Sequence, residues 1–313
     1  MAGFMVTVLM AVRDTPAGML RQAIGSIREQ TLRDFEFLIL DDGSQKGDTL
    51  AELERQARAD SRIRVERGPP CGLTRTLNRG LEWAAGDVIA RQDADDWSEP
   101  QRLKRQVGFL WEHPGIAVCG CNAWTHRDDG RPLWPTRLPE DSSAIREALW
   151  RGNPFVHGSI MFRATAARYR EEFPCAQDYD FFWRLSDASG GANLAEPLYH
   201  YRYSRGAVSA RRAAEQRCAH GAARFLAEAR RLGEAEDVVG ALAAAGVVER
   251  DQEPLRVALK QVDHCMLAGD LGAAGRAYAQ TLMAHPASRL AWGKLLRWAV
   301  YSAVPIAREW CFR

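Results

Sequence analysis

Apolar positions in the first third of the chain fall into two alternating periods. Met5 to Val12 is an unbroken β-favouring run, the pattern of a strand buried on both faces. Arg13-Asp14-Thr15-Pro16 breaks it, and Leu20, Ala23, Ile24 and Ile27 then recur at helical spacing up to about Gln30. Phe35 to Leu40 predicts a second strand, ending in Asp41-Asp42-Gly43-Ser44. A helix over Leu50 to Ala59, a short strand at Ile63-Arg64-Val65 and a helix from Leu73 to Ala84 follow. Val88 to Ala90 predicts a fourth strand. Strand–helix alternation of this kind implies an α/β fold, with parallel strands joined by right-handed crossovers.

The fourth strand runs into Arg91-Gln92-Asp93-Ala94-Asp95-Asp96-Trp97, where three carboxylates lie within four residues. The carboxyl edge of an open α/β sheet is where ligands bind. Like charges this close repel by more than about 1 kcal/mol per pair at intermediate dielectric. Water can screen them, as in an ordinary acidic turn, or a divalent cation can sit among them. Oxygen ligands suit Mg²⁺ or Mn²⁺. The alternation also brings Asp14, Asp41 and Asp42 to the same edge, which favours a gathered site over a solvated turn. No GxGxxG follows the first strand and no Gly-Lys-Ser/Thr is present. A bound nucleotide would therefore be held through a metal bridging its phosphates.

Beyond Trp97, Glu99-Pro100 predicts the start of a helix carrying Leu103, Val107, Leu110 and Trp111 on one face, and Ile116 to Cys121 a further strand. Residues 125–140, rich in Pro, Asp and Gly, read either as a loop over an active site or as a variable hairpin. Asn153 to Arg163 is mostly apolar around His157. Ala176-Gln177-Asp178-Tyr179-Asp180 opens a helix, where an Asp can simply satisfy free backbone N–H groups and meet the positive dipole end.

As a set, these pieces resemble glycosyltransferase family 2. The resemblance rests on Ile39-Leu40-Asp41-Asp42-Gly43-Ser44, on Gly72-Leu73-x4-Asn78-Arg79-Gly80, and on Ala85-Gly86-Asp87-Val88-Ile89-Ala90-Arg91-Gln92-Asp93-Ala94-Asp95-Asp96, in that order. It covers residues 4 to about 210. It implies a GT-A fold: a Rossmann-like, mostly parallel central sheet flanked by helices. Residues 1–100 would be the donor half of a 1–210 domain, 101–210 its acceptor half, and 211–313 an all-α C-terminal region.

The resemblance also implies roles. Asp41 would accept from the nucleotide base, most often uracil, and Ala11, Val12 and Asp14 would supply first-strand contacts. Asn78 and Arg91 fall in donor-side motifs. Asp93 and Asp95 form the DxD, with Asp95 the direct ligand of Mn²⁺ or Mg²⁺ and Asp96 beside it. His157 and Gln177 face the acceptor. Asp178 matches the family's catalytic base, although Gln177 replaces the usual Glu and Asp180 competes for the role. Arg202, Arg205, Arg211 and Arg212 are candidates for the pyrophosphate, in a last core strand and the lid-like segment 204–209. The implied reaction inverts the anomeric centre of a nucleotide-diphosphate sugar, with UDP favoured. A glycan or lipid-linked glycan would be the acceptor, in cell-surface glycan synthesis. A nucleotidyltransferase and a catalytically silent binder of nucleotide sugars or glycans are the rival readings.

Composition adds limits. With 42 basic and 40 acidic residues the net charge is +2, which gives no reason to expect nucleic-acid binding. Seven cysteines without a CxxC pair read as reduced thiols in a cytoplasmic setting. No run approaches a membrane span. From Ala213 the chain turns to Ala, Arg, Glu and Leu at helical spacing. Gly269 to Pro286 resembles one helix pair of a tetratricopeptide-type repeat, short of an array. Trp292, Trp298 and Trp310 among basic residues in 290–313 read as a packing helix or as a peripheral contact with the inner face of a membrane.

Overall fold

A computed structural model describes residues 4–203, 212–251, 254–284, 286 and 292–293. The segment 204–209, Arg205, Arg211 and nearly all of 290–313 lie outside the described residues.

The first four strands and three helices follow the sequence pattern. They are β1 (Val6–Val12), α1 (Ala17–Arg28), β2 (Glu36–Asp41), α2 (Gly47–Ala59), β3 (Ile63–Arg67), α3 (Leu73–Trp83) and β4 (Val88–Arg91). All pairings among these strands are parallel. Register sets the site's level: Val12 pairs with Asp41 on one side, and Leu9 with Arg91 on the other. Strand β4 thus stops short of β1 and β2, and the acidic loop that follows has room to climb to their carboxyl ends.

After β5 (Trp97–Ser98) and α4 (Arg102–Glu112) come β6 (Val118–Arg127), β7 (Pro132–Pro135), α5 (Ser142–Leu149) and β8 (Met161–Arg163). The core domain closes with α6 (Gln177–Ser189) and β9 (Gly191–Tyr203). The sheet order is β3-β2-β1-β4-β8-β6-β9-β5, with β7 on β6. This half is mixed. Strand β8 is antiparallel to β4 and β6, while β6 and β9 run parallel. The run 125–140 is a hairpin: β6 continues to Arg127 and turns into β7.

Two apolar layers cover the sheet. Leu20, Ile24 and Ile27 of α1 and Leu103 and Leu110 of α4 pack on Val8, Met10, Phe37 and Ile39. On the other face Leu77, Phe162, Phe181 and Phe182 join Leu9, Leu38 and Leu40. Helices α7 (Ala213–Leu232) and α8 (Val238–Asp251) send Ala219, Ala223, Leu226 and Ala241 into this second layer. Helices α9 (Pro254–Leu267) and α10 (Leu271–Ala284) form a pair, closed by Leu259, Val262, Met266, Ala274 and Tyr278, so the run from Gly269 supplies one helix and its partner lies upstream of the expected bounds.

Candidate active site

A cavity of about 670 Å³ opens at the carboxyl edge, between the starts of α3, α6 and α7. Arg13 and Cys71 to Arg75 line one side; His157, Gln177 and Asp178 line the other, and Arg212 lies at the third.

The turn Asp41-Asp42-Gly43-Ser44 stands behind the first wall, and none of its residues is among those that line the cavity. Gly43 has φ of 74°, and a Cβ there would sit 2.7 Å from the Pro70 ring, so the turn demands glycine. Asp42 accepts from the Cys71 and Gly72 N–H groups and the Thr76 hydroxyl, fixing the start of α3. Asp41 is fully buried, with its oxygens on the Ser44 N–H and Arg67 Nε. Asp14, in the left-handed region at φ 49°, accepts from the Gln45 and Lys46 N–H groups, which hold its carboxyl below the usual range. Val12 is buried and Ala11 half-buried against the core, and neither is among the residues lining the cavity. It is Arg13 that reaches the cavity, 3.5 Å from Asp42 Oδ2. Sequence reading passed over it; its sign is an arginine sitting between a strand end and a residue that turns the chain.

Two wholly buried arginines brace the acidic loop. Arg91 donates to Leu9 O and to Asp93 Oδ1, the latter at 2.7 Å. Arg102 donates to Arg91 O at 3.0 Å from behind. Asp93 is half-buried, and its N–H donates to Tyr199 Oη. Gly158 lets this cluster close: a Cβ there would lie 2.0 Å from Tyr199 Oη and 2.7 Å from Asp93 Oδ2. Asp95 is half-buried, and its carbonyl accepts from Arg202 Nε. Asp96 is buried and accepts from the Arg202 N–H. Burial, then the charges of Asp95 and Asp93, push its carboxyl well up.

Arg202 therefore does not line the cavity. Its guanidinium also donates to Asp128 O and Gln22 and lies 5.0 Å over the Trp97 ring, tying the loop to β9, the turn after β6 and α1. Asn78 is likewise committed: both ends of its amide bond the Tyr169 backbone, at 2.9 Å each. Arg212 does line the cavity, donating to Pro174 O and pairing with Glu215.

The loop sets three carboxylates within four residues, and of these Asp93 is paired with the buried Arg91. This fits a divalent cation held by one or two carboxylates and completed by substrate phosphates, as Mg²⁺ is often held. Among the described residues no three acidic, His or Cys side chains form an all-protein metal cage.

The opposite wall centres on His157 and Asp178. Arg91 Nε and the Tyr169 hydroxyl both approach His157 Nε2, at 3.5 and 3.1 Å. An arginine Nε–H can only donate, so Nε2 is the acceptor and the neutral ring carries its proton on Nδ1. Burial and Arg91 both push the imidazole below its usual range, against the pull of Asp93 and Asp178. Both carboxylates thus act on one ring. Asp178 lies in the first turn of α6, where the dipole favours negative charge. The helix is entered through Ala176 at φ 55°, a left-handed alanine that costs about 1 kcal/mol. Strain of this kind collects at functional sites. Asn153 donates to Asp178 Oδ2 at 2.9 Å. Asp180 is instead buried between Arg170 and Arg184, at 3.0 and 2.9 Å.

The family model described as glycosyl transferase family 2 matches residues 7–170. The chain belongs to glycosyltransferase family 2. EpsE of Bacillus subtilis, named as a glycosyltransferase, is 32% identical over 212 residues, covering 64% of this chain and 74% of its own. The amylovoran biosynthesis glycosyltransferase AmsE of Erwinia amylovora is 28% identical, over 67% of this chain and 79% of its own. Two solved structures share the GT-A fold. The mannosyltransferase from Pyrobaculum calidifontis, in complex with GDP-Man and Mn²⁺, has a TM-score of 0.56 at 16% identity, over 99% of this chain and 83% of its own. S. aureus TarS in complex with UDP-GlcNAc has 0.58 at 17%, over 88% and 83%. The matched residues include the acidic loop and His157, and Asp178 lies beyond them. No helix among the described residues is long and apolar enough to cross a membrane.

Proposed function

We propose that this glycosyltransferase moves a sugar from a nucleotide-diphosphate donor to a glycan or lipid-linked glycan hydroxyl, inverting the anomeric centre. UDP is the favoured nucleotide, and synthesis of a surface polysaccharide is the setting that AmsE supports. One observation carries the assignment: Asp178 faces the cavity while its neighbour Asp180 is spent on two arginines.

Asp178 takes the proton of the acceptor hydroxyl. The acceptor oxygen bonds to the anomeric carbon as the bond from that carbon to the diphosphate oxygen breaks, and the electron pair leaves with the diphosphate. Asp95 and Asp93 would hold Mn²⁺ or Mg²⁺, with Asp96 behind them; the ion would neutralise charge building on the leaving phosphate. Arg13 and Arg212, at the cavity, are the cations available to the diphosphate, whereas Arg202 serves the loop. His157 Nδ1–H is a donor for substrate oxygens, and Gln177 is a second polar group on the acceptor side. The free thiols of the six described cysteines support a reducing, cytoplasmic compartment.

Asp178→Asn is expected to bind donor as the native protein does and to lose transfer by at least about a hundredfold, the scale of general-base catalysis. Asp180→Asn should chiefly lower thermal stability. If Asp178→Asn transfers normally and Asp180→Asn does not, the assignment of the base is reversed.

A further inference from the structure

We propose that Asn153 is a positioning residue for the base: it holds Oδ2 of Asp178 and so reserves Oδ1 for the acceptor hydroxyl. The proposal rests on Asp178 being the base.

The Asn153 amide is oriented without ambiguity. Its Oδ1 accepts from the Phe155 N–H at 3.1 Å, and a backbone N–H can only donate. Its Nδ2 must then be the end that meets Asp178 Oδ2, at 2.9 Å. The turn that carries it is anchored on both sides. Phe155 is buried and packs edge-on against Phe182 of α6, with ring centroids 5.4 Å apart. Asn193 donates to the intervening Pro154 carbonyl at 3.0 Å. Asn153 and Asp178 thus belong to one packed unit, although 25 residues separate them.

A carboxylate at a helix start is free to rotate about its last torsion. One fixed donor removes that freedom and decides which oxygen is offered. Holding a reacting group in one orientation is a recognised source of rate. The charge of Asp178 acts on His157, Tyr169 and Cys175, and Arg13, Arg75, Glu171 and Arg212 line the cavity with it; substitutions at Asn153 leave all of these in place.

The deciding variant is Asn153→Asp. It keeps an acceptor for the Phe155 N–H, removes the donor to Asp178 and sets carboxylate against carboxylate. The expected result is a kcat at least tenfold lower at neutral pH. The acid limb of the pH–rate profile should move to higher pH, with donor KM within about twofold. A pH profile and kcat that superimpose on the native enzyme overturn the proposal. Asn153→Ser, too short to reach Asp178 and uncharged, guards against misfolding of the first variant. It should lower kcat and move the acid limb to higher pH by less than Asn153→Asp does, since only the donor is lost, and native kcat in this variant also overturns the proposal. The two levels of the account separate cleanly. Transfer that survives Asp178→Asn sinks the base assignment, and the positioning role with it. Transfer that dies with Asp178→Asn but is untouched in both Asn153 variants sinks the positioning role alone.

Discussion

Arg91 and Asp93 form an ion pair at the root of the acidic loop: Nη2 meets Oδ1 at 2.7 Å, with the arginine side chain wholly buried and the aspartate 29% exposed. A guanidinium out of water needs every donor used, and Leu9 O, Asp93 and His157 supply acceptors on three sides. Arg91→Met should lose about 3 kcal/mol, the low end for breaking a buried pair, because Asp93 keeps some water. Urea unfolding measures it. A loss below about 1 kcal/mol would mean that the brace is ornamental.

Gly158→Ala tests how tightly the acidic loop is seated. The added methyl would lie 2.0 Å from Tyr199 Oη and 2.7 Å from Asp93 Oδ2, so one of them must move. We expect cation-dependent donor binding to weaken at least tenfold and thermal stability to fall. Native binding in a folded Gly158→Ala protein would show that Asp93 does not need its present place.

His157 makes a pH prediction. Burial and Arg91 hold its folded imidazole below the usual range, while the unfolded ring takes a proton near pH 6.5, roughly. Between those values the unfolded chain binds more protons, so stability rises with pH. This contribution is present above about pH 6.5 and is lost as pH falls toward the folded value. His126 is shifted the same way by burial, and Asp96, raised in the fold, works in the opposite direction. The readout is therefore a difference: His157→Gln should flatten the Tm-versus-pH slope between about pH 7 and 5 relative to the native protein. Parallel curves would contradict a neutral ring held below its usual range.

What the sequence conveyed followed from period and charge. Unbroken apolar runs separated by helical spacing can only be a parallel α/β half, so the edge that collects Asp14, Asp41, Asp42 and the acidic loop was legible. The antiparallel direction of strand β8 was not, since Met161 to Arg163 is too short to carry an orientation. Residue type alone could not divide ligand-facing from bracing groups. Arg202 and Asn78 have the chemistry of phosphate and nucleotide contacts, yet they are spent on backbone carbonyls and amides that hold loops together. Asp178 and Asp180 look equivalent in a string. Two residues on a helix are about 200° apart, so one faces the cavity and the other the arginines.

The central claim is that the acidic loop grips a cation-bound nucleoside diphosphate beside Asp178. Calorimetric titration of UDP with and without Mn²⁺, on the native protein and on Asp95→Ala, tests it most directly. The account predicts binding that requires Mn²⁺ in the native protein and is lost in Asp95→Ala. Equal affinity in the two proteins, or binding indifferent to Mn²⁺, would contradict it.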